Sequence, residues 1–210
     1  MKLKICGIND AAFAAEAARR GVDYLGFIFE PSSPRYVTVE KAALIAAADW
    51  GQSALPGSTP NTQTTQTPKQ PKHPLLVGVF VRHSVAEIIA IMRAARLDVV
   101  QLHRRADAAD VAALRAAGYE VWTLAGGAEG DGVLFDSSHG DGETAFRRGA
   151  YRAILAGRIG VDNLAAALAL GPDVLDVNSS LETAPGVKSA ERLVQFLDAL
   201  SNHTQKNSKS

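Results

Sequence analysis

The 210 residues contain one cysteine, at position 6, in Lys4-Ile5-Cys6-Gly7. An ionised thiol is a base and a nucleophile. Buried at a strand end, the same side chain can serve as a small hydrophobe. Asp136 closes the apolar run Val133-Leu134-Phe135. A carboxyl there is partly desolvated, which favours its proton-donating form; it can equally cap the following loop. Arg35 stands in Ser33-Pro34-Arg35-Tyr36, a proline-stiffened stretch. A guanidinium is shaped to grip a carboxylate with two hydrogen bonds, or it can face solvent. Gln101 and His103 are two residues apart and share a side of a strand. They either line a site or satisfy each other, and a supporting role is expected. Gly157-Arg158-Ile159-Gly160 and Asp176-Val177-Asn178-Ser179-Ser180 follow apolar runs. Small residues and free backbone N–H groups at a helix start suit an anion. The candidate chemistry is proton transfer on a phosphorylated small molecule.

These residues need elements to carry them. Apolar, β-rich runs fall at 2–6, 24–29, 75–81, 98–102, 120–124, 133–136, 152–156 and 174–177. Helical patterns fall at 10–20, 38–49, 84–96, 106–117, 161–170 and 189–200. Gly21, Gly118 and Gly171-Pro172 supply stops. Strand–helix alternation implies a parallel sheet, and eight units imply a (β/α)8 barrel. Every candidate then lies at or beyond a strand's C-terminal end, the catalytic face of that architecture. The loops after strands 7 and 8 are its usual phosphate cradle. Only residues 125–132, with four glycines, separate strands 5 and 6. A parallel crossover takes about a dozen residues, so the fifth helix is expected to be reduced or missing.

Residues 1–200 read as a single barrel domain interrupted at 53–74. That stretch is Thr/Gln/Pro-rich and without periodicity, so a flexible polar insertion is expected, on the face opposite the candidate site. Residues 201–210 are polar and expected to be a disordered tail. Lys+Arg and Asp+Glu are 22 each, so nothing indicates a nucleic-acid or membrane partner. A lone cysteine excludes an intrachain disulfide and a cysteine-based zinc site. No apolar run is long enough to span a membrane, and no signal-peptide pattern is present, so a cytoplasmic location is expected.

The sequence resembles the phosphoribosylanthranilate isomerase family of tryptophan biosynthesis. Lys4-Ile5-Cys6-Gly7-Ile8, Ser33-Pro34-Arg35-Tyr36-Val37, Val100-Gln101-Leu102-His103 and Pro185-Gly186-Val187-Lys188 carry the likeness, in order along the chain. The resemblance implies a (β/α)8 barrel without metal or cofactor that performs an Amadori rearrangement. It implies Cys6 as general base, Asp136 as general acid and Arg35 as the holder of the anthranilate carboxylate. A base of this kind calls for a thiol whose pKa is lowered. Gly157, Arg158, Ser179 and Ser180 would bind the phosphate, with Gln101, His103 and Asp176 in support. Four places depart from the family pattern: Arg158 and Arg104 where glycines are usual, Asn178-Ser179-Ser180 for Ser-Ser-Gly, and His139-Gly140-Asp141-Gly142 for a glycine-richer loop. Arg158 could add a cation or crowd the cradle. Other readings are a histidine-pathway aldose–ketose isomerase, which characteristically has a carboxylate where this chain has Cys6, and a decayed barrel that only binds a phosphorylated ligand.

Overall fold

The computed structural model describes residues 1–48, 50, 73–137 and 145–207, with the backbone alone at 204–207. Residues 53–72 of the expected insertion, the 139–142 loop and 208–210 of the tail lie outside the described residues.

Eight parallel strands close into a barrel in sequence order: β1 (Lys2–Cys6), β2 (Tyr24–Ile28), β3 (Leu75–Phe80), β4 (Val99–Leu102), β5 (Glu120–Leu124), β6 (Gly132–Asp136), β7 (Arg152–Ala156) and β8 (Val174–Val177). Around them run α1 (Ala11–Arg19), α2 (Val39–Ala46), α3 (Val85–Ala95), α4 (Ala108–Ala116), α5 (Leu164–Ala169) and α6 (Ala190–Asn207). Alternation along the strands sorts the side chains. Leu3, Ile5, Leu25, Phe27 and Phe135 point outward to meet Phe13, Ile45, Met92 and Leu193 of the helices. Cys6, Tyr24, Val79, Trp122 and Leu134 point inward. Fully burying each large apolar side chain contributes roughly 1.5–3 kcal/mol.

The helix starts follow sequence chemistry. Asp10, Thr38, Ser84 and Asp107 accept from backbone N–H groups at the starts of α1 to α4, and Ser84 forms a reciprocal capping box with Glu87. No helix joins β5 to β6. The link folds back instead: Ala128 N–H donates to Ala106 O at 2.9 Å, and Gly130 N–H donates to Thr123 Oγ1 at 3.1 Å.

Three differences from expectation stand out. The helical pattern at 161–170 splits into a 3₁₀ turn (Val161–Asn163) and the six-residue α5. α6 continues to Asn207, well into the stretch expected to be disordered, because residues 201–207 contain neither glycine nor proline to stop it. An antiparallel hairpin, β9 (Glu182–Ala184) and β10 (Val187–Lys188), follows β8.

The N-terminal end of the barrel is plugged. Tyr24 and Trp122 meet edge to face with centroids 4.9 Å apart. Lys2 Nζ donates to the Tyr24 hydroxyl at 3.0 Å, and Trp122 Nε1 donates to Glu120 at 2.6 Å. Arg152 pairs with the same carboxylate. Among the described residues, no helix is long and apolar enough to cross a membrane.

Candidate active site

A cavity of about 400 Å³ opens at the C-terminal ends of the strands. That volume suits a small ligand. Cys6, Arg35, Gln101, His103, Asp136, Gly157, Arg158, Asp176 and Ser179 all line it, so nine of the ten residues singled out by sequence converge. Ser180 does not; its hydroxyl donates to Ile159 O at 2.5 Å and ties the β8 loop to the β7 loop. Ile28, Val79, Val81 and Leu134 give the cavity an apolar wall.

Strand register places the groups. Lys4 and Cys6 both face inward on β1, and Lys4 lies beside Asp176 of β8. The Lys4 side chain is fully buried, and its Nζ donates to Asp176 Oδ2 at 2.6 Å. Burial works against the Lys4 charge, but Asp176 and the Cys6 sulfur more than offset it and push the ammonium pKa up. Burial pushes Asp176 up, and the Lys4 ammonium opposes that. Burial also pushes the Cys6 thiol up, opposed by Lys4 and, more weakly, by Lys188. The lowered thiol value implied by the resemblance is therefore not found: desolvation outweighs the neighbouring cations.

Across the cavity, His103 Nε2 is 3.9 Å from Asp136 Oδ2, a contact between charges only when the imidazole is protonated. Gln101 is 2 % exposed, and its Oε1, like Asp176 Oδ1, has no hydrogen-bond partner among the described residues. Gln101 and His103 therefore line the site together.

Arg35 differs in detail from expectation. Its two-pronged grip is taken by Glu182 of the hairpin: Nε donates to Oε1 at 2.7 Å and Nη2 to Oε2 at 2.8 Å. Nη1 is the guanidinium nitrogen outside that fork. Lys188 Nζ donates to Glu182 at 2.8 Å and to Asn178 Oδ1 at 2.8 Å. Burial works against the Glu182 charge, yet hydrogen bonds from Arg35 and Lys188 bring its pKa below the ordinary value. Burial lowers Lys188, with Glu182 opposing. Two glycines allow this assembly. Gly7 has φ +75°, and a Cβ there would stand 2.8 Å from Arg35 Cδ; Gly186 has φ +81°, and its Cβ would strike Pro34 O at 2.3 Å.

Sequence reasoning missed Lys4, Glu182 and Lys188. Lys4 had a readable signal, since barrel strands are buried on both faces, yet Lys2 and Lys4 alternate with Leu3 and Ile5 on the face of Cys6. Glu182 and Lys188 belong to a hairpin of very short strands that leaves no periodic trace.

At the expected phosphate cradle, Gly157 has φ +104° and Arg158 φ +52°. The Arg158 carbonyl accepts from Asn163 Nδ2 at 3.2 Å, and Gly160 N–H donates to Asn163 Oδ1 at 2.8 Å. Gly160 N–H is thus already engaged inside the loop.

Comparison with known proteins gives a consistent answer. The family model described as "N-(5'phosphoribosyl)anthranilate (PRA) isomerase" matches residues 3–199. An N-(5'-phosphoribosyl)anthranilate isomerase of Campylobacter jejuni is 31% identical over 217 residues, covering 95% of this chain and 98% of that protein. One from Rubrobacter xylanophilus is 32% identical, covering 94% and 98%. The solved structure of the phosphoribosyl anthranilate isomerase of Thermus thermophilus is 32% identical and superimposes with a TM-score of 0.72 over 96% of this chain and 99% of that one. The family match over nearly the whole barrel, together with a cavity built from the family's motif positions, means that this chain belongs to the N-(5'-phosphoribosyl)anthranilate isomerase family.

Proposed function

We propose that this chain converts N-(5′-phosphoribosyl)anthranilate to 1-(2-carboxyphenylamino)-1-deoxyribulose 5-phosphate in tryptophan biosynthesis, as a cytoplasmic enzyme without a cofactor. One observation carries the reading of its residues: Cys6, Asp136, Arg35 and Arg158 line a single cavity at the barrel's open end. An acid, a base and two cations suit a substrate with one carboxylate and one phosphate.

Asp136 gives its proton to the ribose ring oxygen. The C1′–O4′ bond breaks, the oxygen leaves as a hydroxyl, and the anthranilate nitrogen carries a protonated Schiff base. The Cys6 thiolate takes the proton from C2′. That bonding pair forms C1′=C2′, and the iminium electrons return to nitrogen. The enolamine then loses its C2′ hydroxyl proton and gains one at C1′, giving the ketone. Acid–base assistance of this kind is worth typically about 10²–10⁴-fold for each group.

Arg35 receives the anthranilate carboxylate through Nη1, since Nε and Nη2 are held by Glu182. The aromatic ring lies against the apolar wall that includes Ile28 and Val79. Backbone N–H groups of Gly157, Ser179 and Ser180, with the Arg158 guanidinium, hold the phosphate. Gln101, His103 and Asp176 support the polar floor between the two anionic ends.

The test is turnover of freshly prepared phosphoribosylanthranilate, followed by loss of its fluorescence, for wild type and Asp136→Asn. Wild-type turnover with a kcat loss of about 10²-fold or more in the variant is expected. Product binding without turnover by the wild type would favour a barrel that only binds its ligand.

A further inference from the structure

The mechanism above needs the Cys6 sulfur as an anion, yet the sulfur sits in the barrel wall at 6 % exposure. Among the described residues, the charged groups that act on it include Lys4 from its own strand, Asp176 from β8, Lys188 from β10, and Arg35 from the loop after β2. Lys4 is the nearest in effect. It is fully buried, the Cys6 sulfur favours its charge, and it is anchored from the other side by Asp176 at 2.6 Å. Gly26 of β2 makes the room, because a Cβ there would stand 3.0 Å from Cys6 Sγ and 3.1 Å from Lys4 Cε. A buried lysine this deep is costly unless it has a task and a partner. Asp176 supplies the partner.

We propose that Lys4 is a positioning residue for the proton transfer at Cys6: its ammonium, anchored by Asp176, holds the sulfur and is the counter-charge of the thiolate. When the base is generated, the S–H bond breaks and its proton passes to water in the open cavity. A Lys4–Cys6 ion pair remains beside the Lys4–Asp176 pair. Asp176 both restrains the lysine and opposes the thiolate, so its removal frees the ammonium for sulfur alone. The proposal rests on Cys6 being the base. Its test needs no substrate, so its failure and the failure of that reading are separable.

Cys6 is the only cysteine, so alkylation by iodoacetamide across pH in the ligand-free full chain reads one sulfur. Lys4→Met is expected to raise the thiolate midpoint by about one pH unit or more and to slow alkylation near pH 9 about tenfold. Because that change strands a buried carboxylate, the uncharged pair Lys4→Met with Asp176→Asn repeats the measurement. The midpoint again rises, since Lys4 acts on the sulfur more strongly than Asp176 does. Asp176→Asn alone lowers it. An unmoved midpoint in either lysine variant, or a rise in Asp176→Asn, overturns the proposal. A structural role alone would lower thermal stability without these opposite shifts.

Discussion

Glu182 holds two guanidinium nitrogens of Arg35 and the Lys188 ammonium at once, so one carboxylate fixes two cations at the edge of the cavity. Glu182→Gln should raise KM about tenfold with a smaller loss of kcat, because the guanidinium loses the partner that aims it. The same variant gives a stability test with a definite sign. Glu182 is depressed when folded, so its contribution is present above its ordinary value of 4.5 and is lost as pH falls through the lower folded value. The stability deficit of Glu182→Gln in urea should therefore be full at pH 7 and shrink below pH 4.5. A deficit that stays constant would deny the linkage. Arg158 is the other residue with two possible roles. Its left-handed backbone costs about 1 kcal/mol relative to glycine, which is why a glycine suits that position. Arg158→Gly should weaken inhibition by inorganic phosphate and flatten its salt dependence, while relief of the left-handed backbone leaves thermal stability equal or slightly higher. Tighter binding would make the side chain an obstruction instead. In the free wild type, the Cys6 thiolate should form only above the ordinary thiol value of 9.0, as read by its ultraviolet absorbance. Residue types, together with the family resemblance, singled out the proposed acid, base and cations. They did not disclose how each is held, because Lys4–Asp176 and Arg35–Glu182 join positions 172 and 147 residues apart.

At the scale of elements, the short hairpin after β8 is the part of the fold that most directly shapes the site. Asn9 Nδ2 donates to Gly186 O at 3.1 Å, and Gly186 packs directly on the Pro34–Arg35 backbone. Gly186→Ala should force the hairpin off the Arg35 loop. KM should rise by about an order of magnitude, and stability should fall by about 1–3 kcal/mol. Unchanged kinetics would mean that the hairpin does not position Arg35. The eight barrel strands were legible because each is a short apolar run bounded by turn chemistry, and the missing fifth helix because a link of seven residues cannot contain one. The hairpin was not legible, since strands of three and two residues show no alternation. The end of α6 was not legible because the stretch is polar and mostly of weak helix formers, yet no glycine or proline stops the helix.

The whole molecule is electrically balanced, and its open end carries both signs: Arg35 and Arg158 line the cavity together with Glu30, Asp136 and Asp176. The two guanidinium groups are thus local points for the two anionic ends of the proposed substrate rather than a cationic field. The opposite end is sealed by Tyr24 and Trp122, so chemistry is confined to the strands' C-terminal ends. The residues flanking 51–72 belong to the connection from α2 to β3, at the sealed end. Removing residues 56–72 should therefore leave kcat/KM within about twofold, since loop length itself costs only ~0.6 kcal/mol per doubling. A large loss would give that segment a part in activity or assembly. In the proposed reaction the Cys6 thiolate removes the C2′ proton, in a barrel that turns over phosphoribosylanthranilate. The direct measurement is kcat by fluorescence loss for wild type and Cys6→Ala, with circular dichroism to show that both are folded. The account predicts wild-type turnover and a kcat reduced by about 10²-fold or more in the variant, with KM little changed. Near wild-type turnover in Cys6→Ala, or none in the wild type, would contradict it.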